Sequence, residues 1–463
     1  MNRFCTSLSV LLLAAAPLVA QTLPALTTFP VGTATVTVSA LTTGLTVPWE
    51  LVWGPDNFIW MTERGGRISR VNPTTGAVTP LITLADVSTS SEGGLLGMAL
   101  HPDFVTSPFV YVVYNYTDAG GTYLEKLVRL TYANGTLSAP LVLLGNIPAT
   151  STHSGSRLLI LPDRTLLMST GDAQLLPQAQ NPASLNGKIL RLNLDGSVPA
   201  NNPISGSLTY TLGHRNPQGL ALGPGNRIYS SEHGANSDDE LNLIEPGRNY
   251  GWPTVEGYCD QTTELAFCTQ NNVREPLTAW TPTLAVAGLA YYTSPAIPGW
   301  QNRLLLVSLK AARLTDLALN ATGDAISTRT DYLTGFGRLR AICVSPQGRV
   351  YVATSNRDGR GSPAATDDRI LVLENRDFVV TATTAPAAAR LRLWPNPARQ
   401  TLTLERPALA ADAVSISDAL GRRVRTARFA AGQSQLTLSI EDLKPGVYLV
   451  QSGGRTQRLV VAE

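Results

Sequence analysis

The chain has 463 residues, about three times the ~150 of a common domain, so it holds more than one folding unit and a sizeable core. Charged residues make up 15% and hydrophobic ones 43%, with 39 Gly and 31 Pro spread along the length, which excludes a helical bundle and favours an all-β, turn-rich architecture. A formal net charge of +2 with no long basic stretch excludes a nucleic-acid footprint, and four cysteines without a Cys-x-x-Cys pair exclude zinc ribbons and thioredoxin-type sites.

Residues 1–20 carry Arg3, an apolar run from Leu8 to Leu18, and Val19-Ala20 before Gln21, the pattern of a secretory signal peptide cleaved after Ala20. No other apolar run approaches the roughly 20 residues of a membrane helix. The expectation is an exported chain without a transmembrane segment. Cys5 leaves with the signal, so Cys259 and Cys268, close together in what reads as a loop, become candidates for a disulfide, with two buried thiols as the alternative. Cys343 lies on an apolar strand and reads as core.

From residue 21 to 376 one phrase recurs: a turn pair, an apolar run, a polar gap, a second apolar run. It occurs at Gly54-Pro-Asp-Asn-Phe-Ile-Trp60, His101-Pro-Asp-Phe104 with Phe109-Val-Tyr-Val-Val113, Leu161-Pro-Asp-Arg-Thr-Leu-Leu167, Gly223-Pro-Gly-Asn-Arg-Ile-Tyr229, Asn302-Arg-Leu-Leu-Leu-Val307 and Ser345-Pro-Gln-Gly-Arg-Val-Tyr-Val352. Six copies predict a six-bladed β-propeller, because a lone hairpin cannot bury both faces and a closed ring removes sheet edges. A two-sheet sandwich has no need of six copies. The chemistry is then expected in the loops between repeats.

No Walker loop, dinucleotide fingerprint, His-Glu-x-x-His or Gly-x-Ser-x-Gly is present. His101 belongs to a repeat phrase and reads as structural. His153, among small residues in Thr152-His-Ser-Gly-Ser-Arg-Leu158, reads as an accessible general base. In Gly213-His-Arg-Asn216, Arg215 and Asn216 offer directed donors while His214 supports the loop. Ser231-Glu-His-Gly-Ala-Asn-Ser-Asp-Asp-Glu240 combines a Gly turn with clustered carboxylates, the hard oxygen ligands calcium takes; a solvated acidic loop is the other reading.

Together, Gly94-Leu-Leu-Gly-x3-His-Pro-Asp-Phe104, Thr152-His-Ser-Gly-Ser-Arg-Leu158, Gly187-Lys-Ile-Leu-Arg-Leu-Asn-Leu-Asp-Gly196, Gly213-His-Arg-Asn-Pro-Gln-Gly-Leu220, Glu232-His-Gly-x4-Asp-Glu240 and Asn249-Tyr-Gly-Trp-Pro253 resemble the quinoprotein glucose/sorbosone dehydrogenases. The resemblance covers roughly residues 35–376. It implies a six-bladed propeller using pyrroloquinoline quinone (PQQ) and Ca²⁺, with His153 as base and Arg215 and Asn216 at the quinone. It places Thr283, Ala285, Lys310, Arg338 and Arg340 around the cofactor, and Glu92, Thr152 and Trp280 beside the substrate. Gly234 and Ala235 carbonyls would hold the catalytic Ca²⁺, and Glu240, the Tyr250 carbonyl and Asp260 a structural one. Glu92 and Thr152 stand where the glucose-oxidising branch has Gln and Asp, and His233 and Ala235 where it has Gln and Pro; the pattern is closer to the aldose sugar dehydrogenases.

A Thr, Ala and Pro stretch at residues 377–389 reads as a linker, followed at 390–463 by short alternating strands of a small C-terminal β-sandwich. This tail carries a net charge of +5, with eleven Lys and Arg against six Asp and Glu, while residues 21–389 are mildly acidic. Trp394-Pro-Asn-Pro-Ala398, Asp418-Ala-Leu-Gly-Arg422 and Leu443-Lys-Pro-Gly-Val-Tyr448, in that order, resemble the C-terminal sorting domain of type IX secretion substrates; a carbohydrate-binding sandwich is the alternative. The resemblance implies an address read by the export machinery, and a chain secreted through the periplasm to the surface or medium.

The combined reading is a secreted PQQ- and Ca²⁺-dependent dehydrogenase that oxidises aldoses at C1 and passes electrons to an external acceptor of cytochrome or quinone type. The alternatives are a non-catalytic calcium-binding propeller used for adhesion, and a propeller lactonase.

Overall fold

The computed structural model describes residues 22–378, 391–405, 412–418, 422–430, 432–452 and 455–462. The signal segment and residues 379–389 of the linker lie outside the described residues. The chain divides into two compact units, up to Phe378 and from Val379 onward.

The larger unit contains six antiparallel sheets taken in chain order. Four have four strands, spanning 48–83, 155–212, 217–280 and 286–332, and the sheet at 95–148 has five. The last joins strands within 339–375 to Ala34–Thr42 and Ala25–Val31 from the start of the chain, with Val38 opposite Leu373. The first strands are Pro48–Trp53, Leu95–Leu100, Gly155–Ile160, Pro217–Leu222, Val286–Tyr292 and Leu339–Val344. Each packs against the next, and the sixth packs against the first, so the contacts close into a ring.

Each recurring sequence phrase falls at the turn between the first and second strands of one sheet, as at Ser345–Arg349 between Leu339–Val344 and Val350–Thr354. Second strands such as Ile59–Glu63, Thr165–Thr170 and Val350–Thr354 are buried throughout. They are covered on both faces by neighbouring sheets, which is why they read as continuous apolar runs rather than alternating ones. Trp60, Ile68, Leu95, Val112 and Val128 form one such inter-sheet cluster. The first strands approach so closely that a Cβ on Gly97 would lie 1.9 Å from the Ser156 carbonyl oxygen, leaving room for glycine alone.

The segment between the two cysteines is helical rather than a loop, a correction to the sequence reading. Gln261 caps helix Thr262–Gln270 in a reciprocal box with Glu264, and Cys268 lies in its last turn, joined to Cys259 by a disulfide with Cα atoms 6.5 Å apart. Cys343 is buried, as expected.

The second unit has a three-stranded sheet (Arg392–Trp394, Thr401–Glu405, Gln435–Ser439) and a four-stranded one (Arg423–Phe429, Asp412–Ser417, Gly446–Ser452, Arg455–Val461). Strand Gly446–Ser452 alternates between exposed and buried positions, so one face is solvated. Leu402, Leu404, Val414, Ile416, Phe429 and Val450 form the shared core. Residues 419–421 of the Asp418–Arg422 motif lie outside the described residues. No helix among the described residues is long and apolar enough to cross a membrane.

Candidate active site

Two cavities lie at opposite ends of the six first strands. The larger, about 630 Å³, is walled mainly by Leu51, Leu100, Leu159, Leu289 and Ile342, with Glu50 and Arg157 in contact with each other among its polar groups. The smaller, about 430 Å³, is formed by the loops that precede the first strands and follow the second strands. Its walls carry Arg64, Arg215, Lys310, Arg338, Arg340 and Arg360 against Glu92, Asp239 and Asp358. Size favours the first cavity, and chemistry selects the second.

This cavity gathers His153, Arg215, Glu92, Thr152, Gly234, Ala235, Thr283, Ala285, Lys310, Arg338 and Arg340. Asn216 stands behind the wall: its Oδ1 accepts from the Gly155 amide and from Gln218 Nε2, each at 3.0 Å, and its Nδ2 is buried without a partner. Trp280 does not line the cavity. It ends strand Thr278–Trp280 and packs with Leu241, Leu284 and Val286, because the indole buries more area there than at the polar wall. Asp260 is exposed, and Tyr250 is buried with its ring stacked on His214.

His153 is held from three sides. Its Nδ1 lies 2.8 Å from Asp172 Oδ1, its amide donates to Glu92 Oε2 at 3.3 Å, and its carbonyl accepts from the Ala173 amide at 3.2 Å. Its φ is +59°, a conformation that a non-glycine residue adopts only under such constraint. A Cβ on Gly171 would meet the His153 carbonyl oxygen at 1.8 Å, so glycine is required beside Asp172. Asp172, fully buried, also accepts from the Gln174 amide and from Trp252 Nε1, both at 2.8 Å. Reading the sequence missed Asp172. Its signal is a carboxylate in Gly171-Asp172, just past a wholly buried strand, where solvation alone gives no reason for a charge.

The Arg215 loop is fixed by Glu232. Glu232 Oε1 accepts the Arg215 and Asn216 amides, and Oε2 lies 2.8 Å from His214 Nδ1. His214 is fully buried and also bonds Thr211, which makes it a support as expected. Arg215 packs over the Trp252 ring at 5.3 Å, and its Nε is buried with no partner. Arg338 Nε donates to Asp358 Oδ2 at 2.7 Å, and Lys310 Nζ to Thr283 Oγ1 at 3.0 Å. Burial lowers the Arg340 guanidinium to about 10 while Asp358 opposes the shift, so it stays cationic at neutral pH. Burial would raise the Glu92 carboxyl, but His233, Arg360, the His153 amide and Arg340 outweigh it and hold Glu92 ionised. Burial depresses His233, although Asp239 and Glu92 oppose the shift, and its Nε2 donates to the Val286 carbonyl at 2.7 Å.

The carboxylates of residues 231–240 are not a free ligand cluster, a second correction. Asp239 accepts the Gly234, Leu284 and Val286 amides, and Glu240 accepts from Asn242 Nδ2 and the Gly257 amide. Among the described residues no group of three or more His, Cys, Asp or Glu is placed to hold a metal. The Gly234 and Ala235 carbonyls accept no hydrogen bond among the described residues, so hard oxygen donors remain available there. Cationic walls with an unpaired Arg215 Nε fit a polycarboxylate, and the two carbonyls fit Ca²⁺.

Known proteins resemble this chain in sequence and fold. Residues 45–370 match the Glucose / Sorbosone dehydrogenase family, and residues 392–461 the Secretion system C-terminal sorting domain. Quinoprotein glucose dehydrogenase B of Acinetobacter calcoaceticus is 35% identical over 430 residues, covering 73% of this chain and 89% of that protein. Aldose sugar dehydrogenase YliI of Escherichia coli is 31% identical, covering 70% of this chain and 92% of that protein. The PQQ-bound aldose sugar dehydrogenase of Streptomyces coelicolor is 34% identical, with a TM-score of 0.64 over 74% of this chain and 98% of that one. By its family match and its relatives in sequence and fold, the chain belongs to the glucose/sorbosone dehydrogenase family.

Proposed function

We propose that the protein is an exported sugar dehydrogenase that oxidises aldoses at C1 to lactones with PQQ and Ca²⁺. The six sheets are the blades of its propeller, and the two sheets of the tail are a sandwich that addresses the chain to type IX export. The observation that carries the reading is the His153–Asp172 pair opening into a cavity walled by six cations.

Asp172 accepts the Nδ1 proton, which leaves His153 Nε2 as the free ring nitrogen facing the cavity. That nitrogen takes the proton of the anomeric hydroxyl as the C1 hydrogen leaves with its electron pair, and the lactone carbonyl forms. PQQ, when bound, supplies the hydride acceptor, and Ca²⁺ a Lewis acid. Arg215, beside Trp252, supplies positive charge where negative charge develops, and Lys310, Arg338 and Arg340 would hold the acceptor's carboxylates. Gly234 and Ala235 would hold the catalytic ion through their carbonyls. Glu240 would have to give up its bonds from Asn242 and Gly257 to join the Tyr250 carbonyl and Asp260 around a second, structural ion. The electrons then pass to an external acceptor of cytochrome or quinone type.

The test is His153→Ala. Dye-linked oxidation should fall by roughly 10²–10⁴-fold while PQQ binding, followed by its absorbance, persists. Full turnover in the variant would remove His153 as the base. Loss of quinone binding in the wild-type chain would favour a binding module.

A further inference from the structure

The wall of the cavity contains an ion pair that the chemistry above does not use. Glu92 Oε1 lies 2.9 Å from Arg360 Nη1, and the Glu92 side chain is 24% exposed against 57% for Arg360. The two residues come from opposite ends of the chain order: Glu92 precedes the first strand of the second sheet, and Arg360 follows the second strand of the sixth. Glu92 grips the base loop twice. Its amide donates to the Ser151 carbonyl at 3.0 Å, and its Oε2 accepts the His153 amide at 3.3 Å.

Arg360 is itself held. Its amide donates to Asp358 Oδ1 at 2.9 Å, Asp358 Oδ2 accepts from Arg338, and the Asp358 carbonyl accepts from Arg64 Nη1 at 3.3 Å. The guanidinium has Glu92 as its ion-pair partner among the described residues. A chain of contacts therefore runs from the sixth sheet through Arg360 and Glu92 to the main chain of His153, at a residue whose positive φ needs outside support.

We propose that Glu92 and Arg360 are a positioning pair for His153: Arg360 fixes the Glu92 carboxylate, and that carboxylate fixes the base through its amide. This rests on His153 being the base. Misplacing a reacting group by about 1 Å costs up to about 100-fold in rate, which sets the scale of the expected effects.

The test uses the full chain loaded with PQQ and Ca²⁺, and the variants Glu92→Ala, Glu92→Gln, Arg360→Gln and Arg360→Lys. Glu92→Ala should lower kcat about 10- to 100-fold with KM changed far less. Glu92→Gln, which keeps an acceptor for the amide and loses the ion pair, should match Arg360→Gln, with kcat down about 3- to 10-fold. Arg360→Lys should recover most of that loss. Unchanged kcat in the Ala and Gln variants overturns the proposal, as does a loss that follows a lowered melting temperature and is not relieved by Lys. Long-range ¹H–¹⁵N spectra of the histidine rings give a second readout, with the His153 signals identified by their loss in His153→Ala. Shifted signals in Glu92→Ala and Arg360→Gln, restored in Arg360→Lys, support the pair even where no sugar is turned over; unshifted signals refute it.

Discussion

Replacing Asp172 by Asn removes one charge and little volume, so it isolates the role of the carboxylate. Asp172 accepts three hydrogen bonds, from His153 Nδ1, the Gln174 amide and Trp252 Nε1, and is fully buried. An Asn side chain has one acceptor oxygen, so its NH₂ takes the place either of Oδ1, which faces both the His153 ring and the Gln174 amide, or of Oδ2, which faces Trp252 Nε1. Facing the ring, it favours the tautomer with the proton on Nε2, which disables the base. General-base catalysis contributes about 10²–10⁴-fold, so kcat should fall within that range, equivalent to about 3–5 kcal/mol. Facing Trp252, it keeps the acceptor for His153 and leaves the indole N–H unpaired, at about 1–3 kcal/mol of stability. Dye-linked turnover and thermal unfolding of the same preparation separate the two costs. Wild-type kcat together with wild-type stability in Asp172→Asn would refute the dyad, because each orientation of the amide must cost one or the other.

Other expectations follow from particular groups. Burial pushes the Glu125 carboxyl up to about 8, with Ser156 donating to it at 2.9 Å. The folded state thus binds a proton that the unfolded state releases near 4.5, so this contribution is full below 4.5 and is lost as pH rises towards 8. Glu125→Gln should become progressively more stable than wild type across that window in urea titrations; a constant difference would contradict the assignment. The Cys259–Cys268 disulfide closes a short loop, worth about 2–3 kcal/mol by chain entropy. Reductant should lower the melting temperature of wild type but not of a Cys259→Ser, Cys268→Ser double variant, and an equal response in both would refute it. Deleting residues 385–463 should leave dye-linked activity within about twofold, since the units form by separate contacts, while export is lost. Loss of folding would show the tail to be part of the larger unit's core.

The fold was legible where the sequence repeats itself. Each recurring phrase marks a turn between the first two strands of a sheet, because Gly, Pro and Asp are needed where an apolar strand reverses. The pairing of Ala34–Thr42 with Ile370–Asn375 was not legible, since both are ordinary apolar strands and only ring closure brings them together. Within the site, the motif residues His153, Arg215, Lys310, Arg338 and Arg340 carry their own signal, a cation or imidazole among small residues. Trp280 carries the opposite one: an aromatic reads equally well as a ring platform or as core, and packing decides. Asp172 and Arg360 contact partners distant in sequence, His153 and Glu92, and such pairings have no local signature. The acidic run at 231–240 misled because its carboxylates are spent on main-chain amides, which composition does not show.

The most direct test of the central claim is dye-linked oxidation of a panel of aldoses by the mature chain, with PQQ and Ca²⁺ supplied together, singly, or not at all. Turnover is expected only with both, and is expected to be lost in His153→Ala. Turnover without PQQ, or none from folded protein that holds both, would contradict it.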